Sequence, residues 1–148
     1  MEAIIKTSSW YTPLPKGHVR IGISRGVPRR HVAGYRVFSK LAPRVWFEGM
    51  SPLQYEQVYW VEILAPLDPR AVAAALIKRA GGEIPVMCCH QLVGTGGWCH
   101  RAMAAAWLSE SLGRPVPEFG HETLPQWQHP LLPSVVRRPI SGKMEMRF

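Results

Sequence analysis

The chain has no uninterrupted apolar stretch near the roughly 18 residues that cross a bilayer, so a membrane-spanning protein is not expected. Its first residues, Met1-Glu2-Ala3-Ile4-Ile5-Lys6-Thr7, lack a basic lead followed by a long apolar run, so no secretory signal is expected either. Cysteine is scarce: there are three, an odd number, and Cys88 and Cys89 are adjacent. That is a poor basis for a disulfide framework and suits a reducing cytoplasm. Acidic residues number only ten, and no two form an obvious acid–base pair, which leaves a glycosidase-like carboxylate dyad weakly supported. There is no Gly-x-x-x-x-Gly-Lys-Ser/Thr and no Gly-x-Gly-x-x-Gly after a strand, which disfavours P-loop hydrolysis and Rossmann dinucleotide binding.

What is present suffices for one compact domain. The chain has 148 residues, 47 % of them hydrophobic, enough to bury a core and to exclude disorder along its whole length. Its net charge of +8 is unevenly placed. Residues 1–44 carry nine Lys or Arg against Glu2 alone, residues 45–126 carry five bases and eight acids, and residues 127–148 carry four bases and one acid. Basic ends favour phosphate-bearing partners, nucleic acid or a phosphorylated small molecule, because each cation set against a phosphate releases condensed counterions. A solvated basic face explains the same pattern.

The apolar patterning alternates between strand and helix signals. The run Ala3-Ile4-Ile5, within Glu2 to Ser9, reads as a buried strand, and His18–Ser24 places Val19, Ile21 and Ile23 on one strand face. Tyr35 to Leu41 is a candidate short helix. Ser51-Pro52 and Asp68-Pro69 each supply an N-cap followed by proline at the first helical position. The first of these helices offers Leu53, Trp60, Val61 and Leu64 as its stripe. The second offers Val72, Leu76 and Ile77, and stops at Gly81-Gly82. Ile84–Cys89 reads as a central strand. A third, alanine-rich helix runs from about Gly97 to Leu112, and Pro115–Phe119 is a candidate last strand. This order predicts an α/β fold: a single three-layer sandwich with a mostly parallel sheet over residues 1–120. Residues 121–148 read as a Pro-rich basic tail, loosely ordered from about residue 125 because Pro125, Pro130, Pro133 and Pro139 interrupt helix and sheet.

In parallel sheets the ligand sits outside the carboxyl ends of the strands, which places Ser9, Trp10, Ser24, Arg25, Cys89 and His90 along one rim. The densest chemistry lies between Cys88 and Arg101, where a strand ends in Cys-Cys-His, a glycine-bearing loop follows, and Cys99-His100-Arg101 opens a helix. Unpaired N–H groups and the positive dipole end at a helix start welcome an anion, and Arg101 adds a fork of donors. Three readings compete. One is an anion-binding active site with His100 or His90 as proton carrier and Cys99 as activated thiol. A second is a zinc site of Cys89, His90, Cys99 and His100, although adjacent Cys-His pairs depart from the usual ligand spacings. In the third, Cys88 and Cys89 are small buried hydrophobes. Tyr55 and Tyr59, one helical turn apart with Trp60, could stack on a base but more often form a core stripe. Trp107 reads as core.

Taken in order, several segments resemble the bacterial family catalogued as domain of unknown function 488. They are Thr7-Ser8-Ser9-Trp10 at a strand end, Ile23-Ser24-Arg25-Gly26-Val27-Pro28, the strand end Met87-Cys88-Cys89-His90, the helix start Cys99-His100-Arg101, and Trp107-Leu108. The resemblance covers roughly residues 2–120 and leaves out the tail. It implies an α/β domain with a polar site near Cys-His-Arg, and no particular reaction. One departure matters: the family's Leu-Cys-x-Glu glutamate falls on His90 here.

The expectation is therefore a cytoplasmic enzyme without a cofactor, acting on a nucleotide or nucleic acid. His100, His90 and Cys99 would do the chemistry, and Ser9, Trp10, Arg25 and Arg101 would bind the ligand. A non-catalytic nucleic-acid- or phosphate-binding module and a Cys/His metal-stabilised adaptor are the alternatives.

Overall fold

The computed structural model describes residues 4–30 and 33–137. Four parallel strands form one sheet: β1 (Lys6–Ser9), β2 (His18–Gly22), β3 (Arg36–Val37) and β4 (Ile84–Cys89), in the order β1-β4-β2-β3. The helices are α1 (Pro52–Tyr59), α2 (Pro69–Ala80) and α3 (His100–Leu112). Among the described residues, no helix is long and apolar enough to cross a membrane. The α/β expectation holds. Ala3 of the expected first strand lies outside the described residues.

Local chemistry accounts for the helix ends. Ser51 Oγ accepts from Gln54 N and Asp68 Oδ1 accepts from Arg70 N, each just before a proline at the first helical position. Gly81 closes α2 and Gly113 closes α3 in the left-handed conformation that an L side chain resists.

Two apolar stripes differ from expectation. After Tyr59 the helix widens into a π turn, Trp60–Leu64, in which Ala65 N donates to Trp60 O five residues back. The extra residue shifts the face beyond it, so Ile63 and Leu64 are buried while Trp60 and Val61 face solvent, and Leu53, ahead of the turn in α1, is exposed as well. In α2 the buried set is Val72, Ala73, Leu76 and Ala80, and Ile77 is exposed. Tyr35–Leu41 forms no α-helix. It supplies β3 and a single 3₁₀ turn, Ser39–Leu41.

Buried side chains from all three helices join Ile5, Ile21, Ile23, Met87 and Cys89 on one face of the sheet. On the other face Trp10, Val86 and Cys88 pack against Leu14, Val27 and Tyr35 from the loops. No described helix lies in that second cluster, so the layer expected there is built of loop. Trp10 closes it by setting the edge of its six-membered ring against Gly22, where a Cβ would meet the indole at 2.3 Å. Only glycine admits that approach.

The segment after α3 is packed. Thr7 N donates to Pro117 O and Phe119 N to Thr7 O, which sets Glu118 beside β1 as a single parallel bridge rather than a strand. The Gln126 side chain holds both Val116 N and Val116 O at 2.8 Å. Leu131, Leu132 and Val136 enter the core, and Leu131 O accepts from Cys99 N. A loose tail from residue 125 is thus not what forms, at least through Arg137. Proline blocks regular ladders, yet it starts the 3₁₀ turns at Gln126–Gln128 and Ser134–Val136 and leaves apolar neighbours free to pack. Pro139 and the rest of the basic end lie outside the described residues.

Candidate functional site

A cleft of about 610 Å³ opens beyond the carboxyl ends of β2 and β4, where parallel sheets place ligands. Arg25 and Ser24 follow β2 on one wall, His90 and Gln91 follow β4, Tyr55 of α1 and Trp98 form an aromatic wall, and Cys89, Cys99 and His100 make the floor. The Tyr55 and Trp98 rings meet edge to face, 4.8 Å apart.

Strand alternation selects the floor. Cys89 points to the helical face and Cys88 to the other, so only Cys89 meets the start of α3. There Cys99 is the N-cap residue and His100 begins the helix. Cys89 Sγ lies 3.9 Å from His100 Nδ1 and 3.5 Å from Nε2, and Cys99 Sγ lies 3.7 Å from Nδ1. His100 Nε2 is 2.8 Å from Ile23 O. A carbonyl can only accept, so Nε2 carries a proton and donates it there. That leaves Nδ1 as the ring's free lone pair, 3.7 Å from Cys99 Sγ and 3.9 Å from Cys89 Sγ, with Cys89 Sγ nearer the Nε2 side of the ring. Tyr59, whose hydroxyl donates to Leu41 O, buttresses the imidazole edge to face.

Burial opposes ionisation of all three thiols, with different outcomes. Cys88 is pushed up to about 11. Cys89 is also raised, by burial and by its neighbour Cys99. At Cys99 the burial penalty is outweighed by the Cys89 hydrogen bond, His100 and the Arg101 charge, which hold the thiol well below its ordinary value.

Arg101 does not serve an external anion. Its side chain is fully buried, with Nε 3.0 Å from Glu118 Oε1, Nη2 2.7 Å from Glu118 Oε2, and Nη1 donating to Gln91 O. Every guanidinium nitrogen has a protein partner, so the ligand role expected for Arg101 is replaced by a structural one. The same carboxylate accepts from Thr7 Oγ1 at 2.8 Å, and Thr7 Oγ1 lies 2.7 Å from His129 Nε2.

Ser9 and Trp10 are also absorbed by the fold. Ser9 Oγ accepts from the backbone N–H groups of Tyr11 and Thr12 in a side-chain-capped turn. Trp10 is buried on the loop-covered face, and its Nε1–H donates to Ser24 Oγ. Neither lines the cleft. Arg25 does, and is ion-paired with Glu48 while remaining 43 % exposed.

His90 is at the rim rather than on the floor. Nε2 lies 3.1 Å from Gly26 O and Nδ1 3.0 Å from the Tyr11 hydroxyl, so Nε2–H donates to the carbonyl and Nδ1 accepts from tyrosine. The four-residue set Cys89, His90, Cys99 and His100 is thus not gathered at one point. Three of the four are, since the ligating atoms of Cys89, Cys99 and His100 lie within 4.8 Å of one another.

His129 carries no signal in the sequence, whereas Tyr59 reads there as a base-stacking or core residue, and Glu118 or Glu122 as the carboxylate that would hold Arg101 if Arg101 served the fold. Period-two alternation could have separated Cys89 from Cys88, but nothing local chooses Glu118 over Glu122 for Arg101, 17 residues away, or ties His129 to Thr7 across 122 residues. No family model, no curated protein and no solved structure matches this chain.

Proposed function

We propose that the chain is an enzyme, of the kind its motifs resemble in domain of unknown function 488, whose cleft takes a phosphate-bearing small molecule such as a nucleotide. The observation that carries this reading is the cleft itself. Its 610 Å³ falls within the roughly 300–1,000 Å³ of small-molecule sites, and it combines apolar walls with a few convergent polar groups. Tyr55 and Trp98 offer an aromatic wall to a base, Arg25 offers a guanidinium to a phosphate, and His90 and the Cys99–His100 floor supply the groups for proton movement and reaction. Three free thiols suit a reducing compartment, and we place the protein in the cytoplasm.

Calorimetric titration with a nucleoside monophosphate and with inorganic phosphate tests the reading. The nucleotide is expected to bind more tightly than phosphate alone. Arg25→Ala should weaken it by about three- to tenfold, less than the full worth of a charged hydrogen bond because Arg25 is partly exposed and shared with Glu48. No heat from either ligand, or equal binding to Arg25→Ala, overturns it.

A second reading rests on the basic end. Arg20 is committed to the carbonyls of Ser9 and Thr12, but Arg29, Arg30, Arg36, Lys40 and Arg44 are exposed. Their number and exposure support a nucleic-acid surface, whose affinity would fall steeply with salt. Binding insensitive to salt would remove it.

A further inference from the structure

Three donors of the kind that hold soft or borderline metals converge at the cleft floor: Cys89 Sγ, Cys99 Sγ and His100 Nδ1. We propose that these three atoms are the protein ligands of a four-coordinate zinc centre whose fourth position opens into the cleft. Tetrahedral zinc, with Zn–S of about 2.3 Å and Zn–N of about 2.0 Å, sets neighbouring sulfur and nitrogen ligands about 3.5 Å apart. The two Nδ1–Sγ separations are 3.7 Å and 3.9 Å, within a few tenths of an ångström of that value, and all three ligand atoms lie within 4.8 Å of one another.

An independent feature points the same way. Metal-bound histidines characteristically donate their other ring N–H to a carbonyl or carboxylate, which holds the ring and the tautomer. His100 does this through Nε2–H to Ile23 O at 2.8 Å, while Tyr59 packs on the ring. The floor is dry at its back and open at its front, since Cys89, Cys99 and His100 are all nearly buried yet line the cleft. Structural zinc sites fill all four positions with protein, whereas three protein ligands beside a cavity is the catalytic pattern. His90 is not the missing ligand, because Tyr11 and Gly26 occupy its nitrogens.

The charge balances. Each cysteine that ligates gives its proton to solvent, and two thiolates neutralise one Zn²⁺. The fourth ligand is then water or an oxygen of the bound molecule. Only that last statement rests on the cleft being a ligand site; the three protein ligands stand without it.

The full chain, stripped with a chelator, is titrated with Co²⁺ and Zn²⁺ under reducing conditions. One Co²⁺ per chain should bind with sulfur-to-metal charge-transfer and tetrahedral d–d absorption, and Zn²⁺ should displace it. Cys89→Ser, Cys99→Ser and His100→Gln are each expected to weaken binding at least a hundredfold, while Cys88→Ala and His90→Ala stay within about threefold. Should a ligand variant fail to fold, wild type alone decides. Zn²⁺ must raise its melting temperature and protect Cys89 and Cys99 from alkylation, read by mass spectrometry. Absence of tetrahedral cobalt absorption in wild type, or its persistence in folded Cys99→Ser, overturns the proposal. Repeating the nucleotide titration with and without Zn²⁺ separates the two ideas. Nucleotide binding without any metal uptake sinks the zinc site alone, and metal uptake without nucleotide binding sinks the nucleotide reading alone.

Discussion

Arg101 and Glu118 meet as a two-point ion pair sealed from solvent, with nitrogen–oxygen distances of 3.0 and 2.7 Å. A cation in the first turn of a helix opposes the helix dipole, and a free Arg101 would weaken α3. Glu118 offsets that and fastens the segment after α3 to the sheet through Thr7.

Arg101→Ala should therefore destabilise the fold, by about 3–5 kcal/mol, because it strands a buried carboxylate. Adding Glu118→Gln to it should recover part of the loss, since the stranded charge is removed. Urea denaturation of both variants measures this. A loss below about 1 kcal/mol for Arg101→Ala would contradict the structural role.

His129 makes stability fall in acid. Leu131 N donates to Nδ1, so Nε2–H donates to Thr7 Oγ1, and Thr7 donates to Glu118. Protonating Nδ1 would break the Leu131 bond inside a dry pocket. Burial, helped by the Arg101 charge, lowers the imidazole to about 3. Between the ordinary value of about 6.5 and that one, the unfolded chain holds a proton that the folded chain refuses. Stability should be full above about pH 6.5 and decline as the pH falls toward 3. His129→Gln should flatten that slope in pH-dependent denaturation, and an unchanged slope would refute the assignment.

Truncation after Leu124 removes Leu131, Leu132, Val136 and the Gln126 clamp on Val116. It should unfold the chain or lower its melting temperature by well over 10 °C. Leu131→Ala, a milder change, should cost about 2–4 kcal/mol. A truncated chain that melts like wild type would show that the segment is dispensable.

Gly22→Ala drives a methyl group into the Trp10 indole. The cost should be about 1–3 kcal/mol, with a shift in tryptophan fluorescence as Trp10 moves. Pairing it with Trp10→Leu should restore much of the stability, and failure to do so would mean that the clash is not the cause.

Much of this protein was determined by short-range sequence. Ser51-Pro52, Asp68-Pro69, Gly81 and Gly113 mark helix ends through caps and backbone freedom that act within four residues, and the alternation in β2 and β4 needs no distant partner. The parallel α/β architecture, and the placing of a site beyond the strand ends near Cys99-His100, follow from the same local signals. Tertiary structure alone decided the rest. The π turn after Tyr59 rephased a stripe that ideal periodicity assigned to other residues. Arg101 found Glu118 rather than a ligand because a buried charge must be paired, and its partner comes from a different segment of chain. Cys89 came to rest beside Cys99 and His100 because β4 and the start of α3 share one end of the sheet. The sequence grouped these residues at one strand end and one helix start, and packing decided which of them meet: Cys89, Cys99 and His100 do, while Tyr11 and Gly26 hold His90 at the rim.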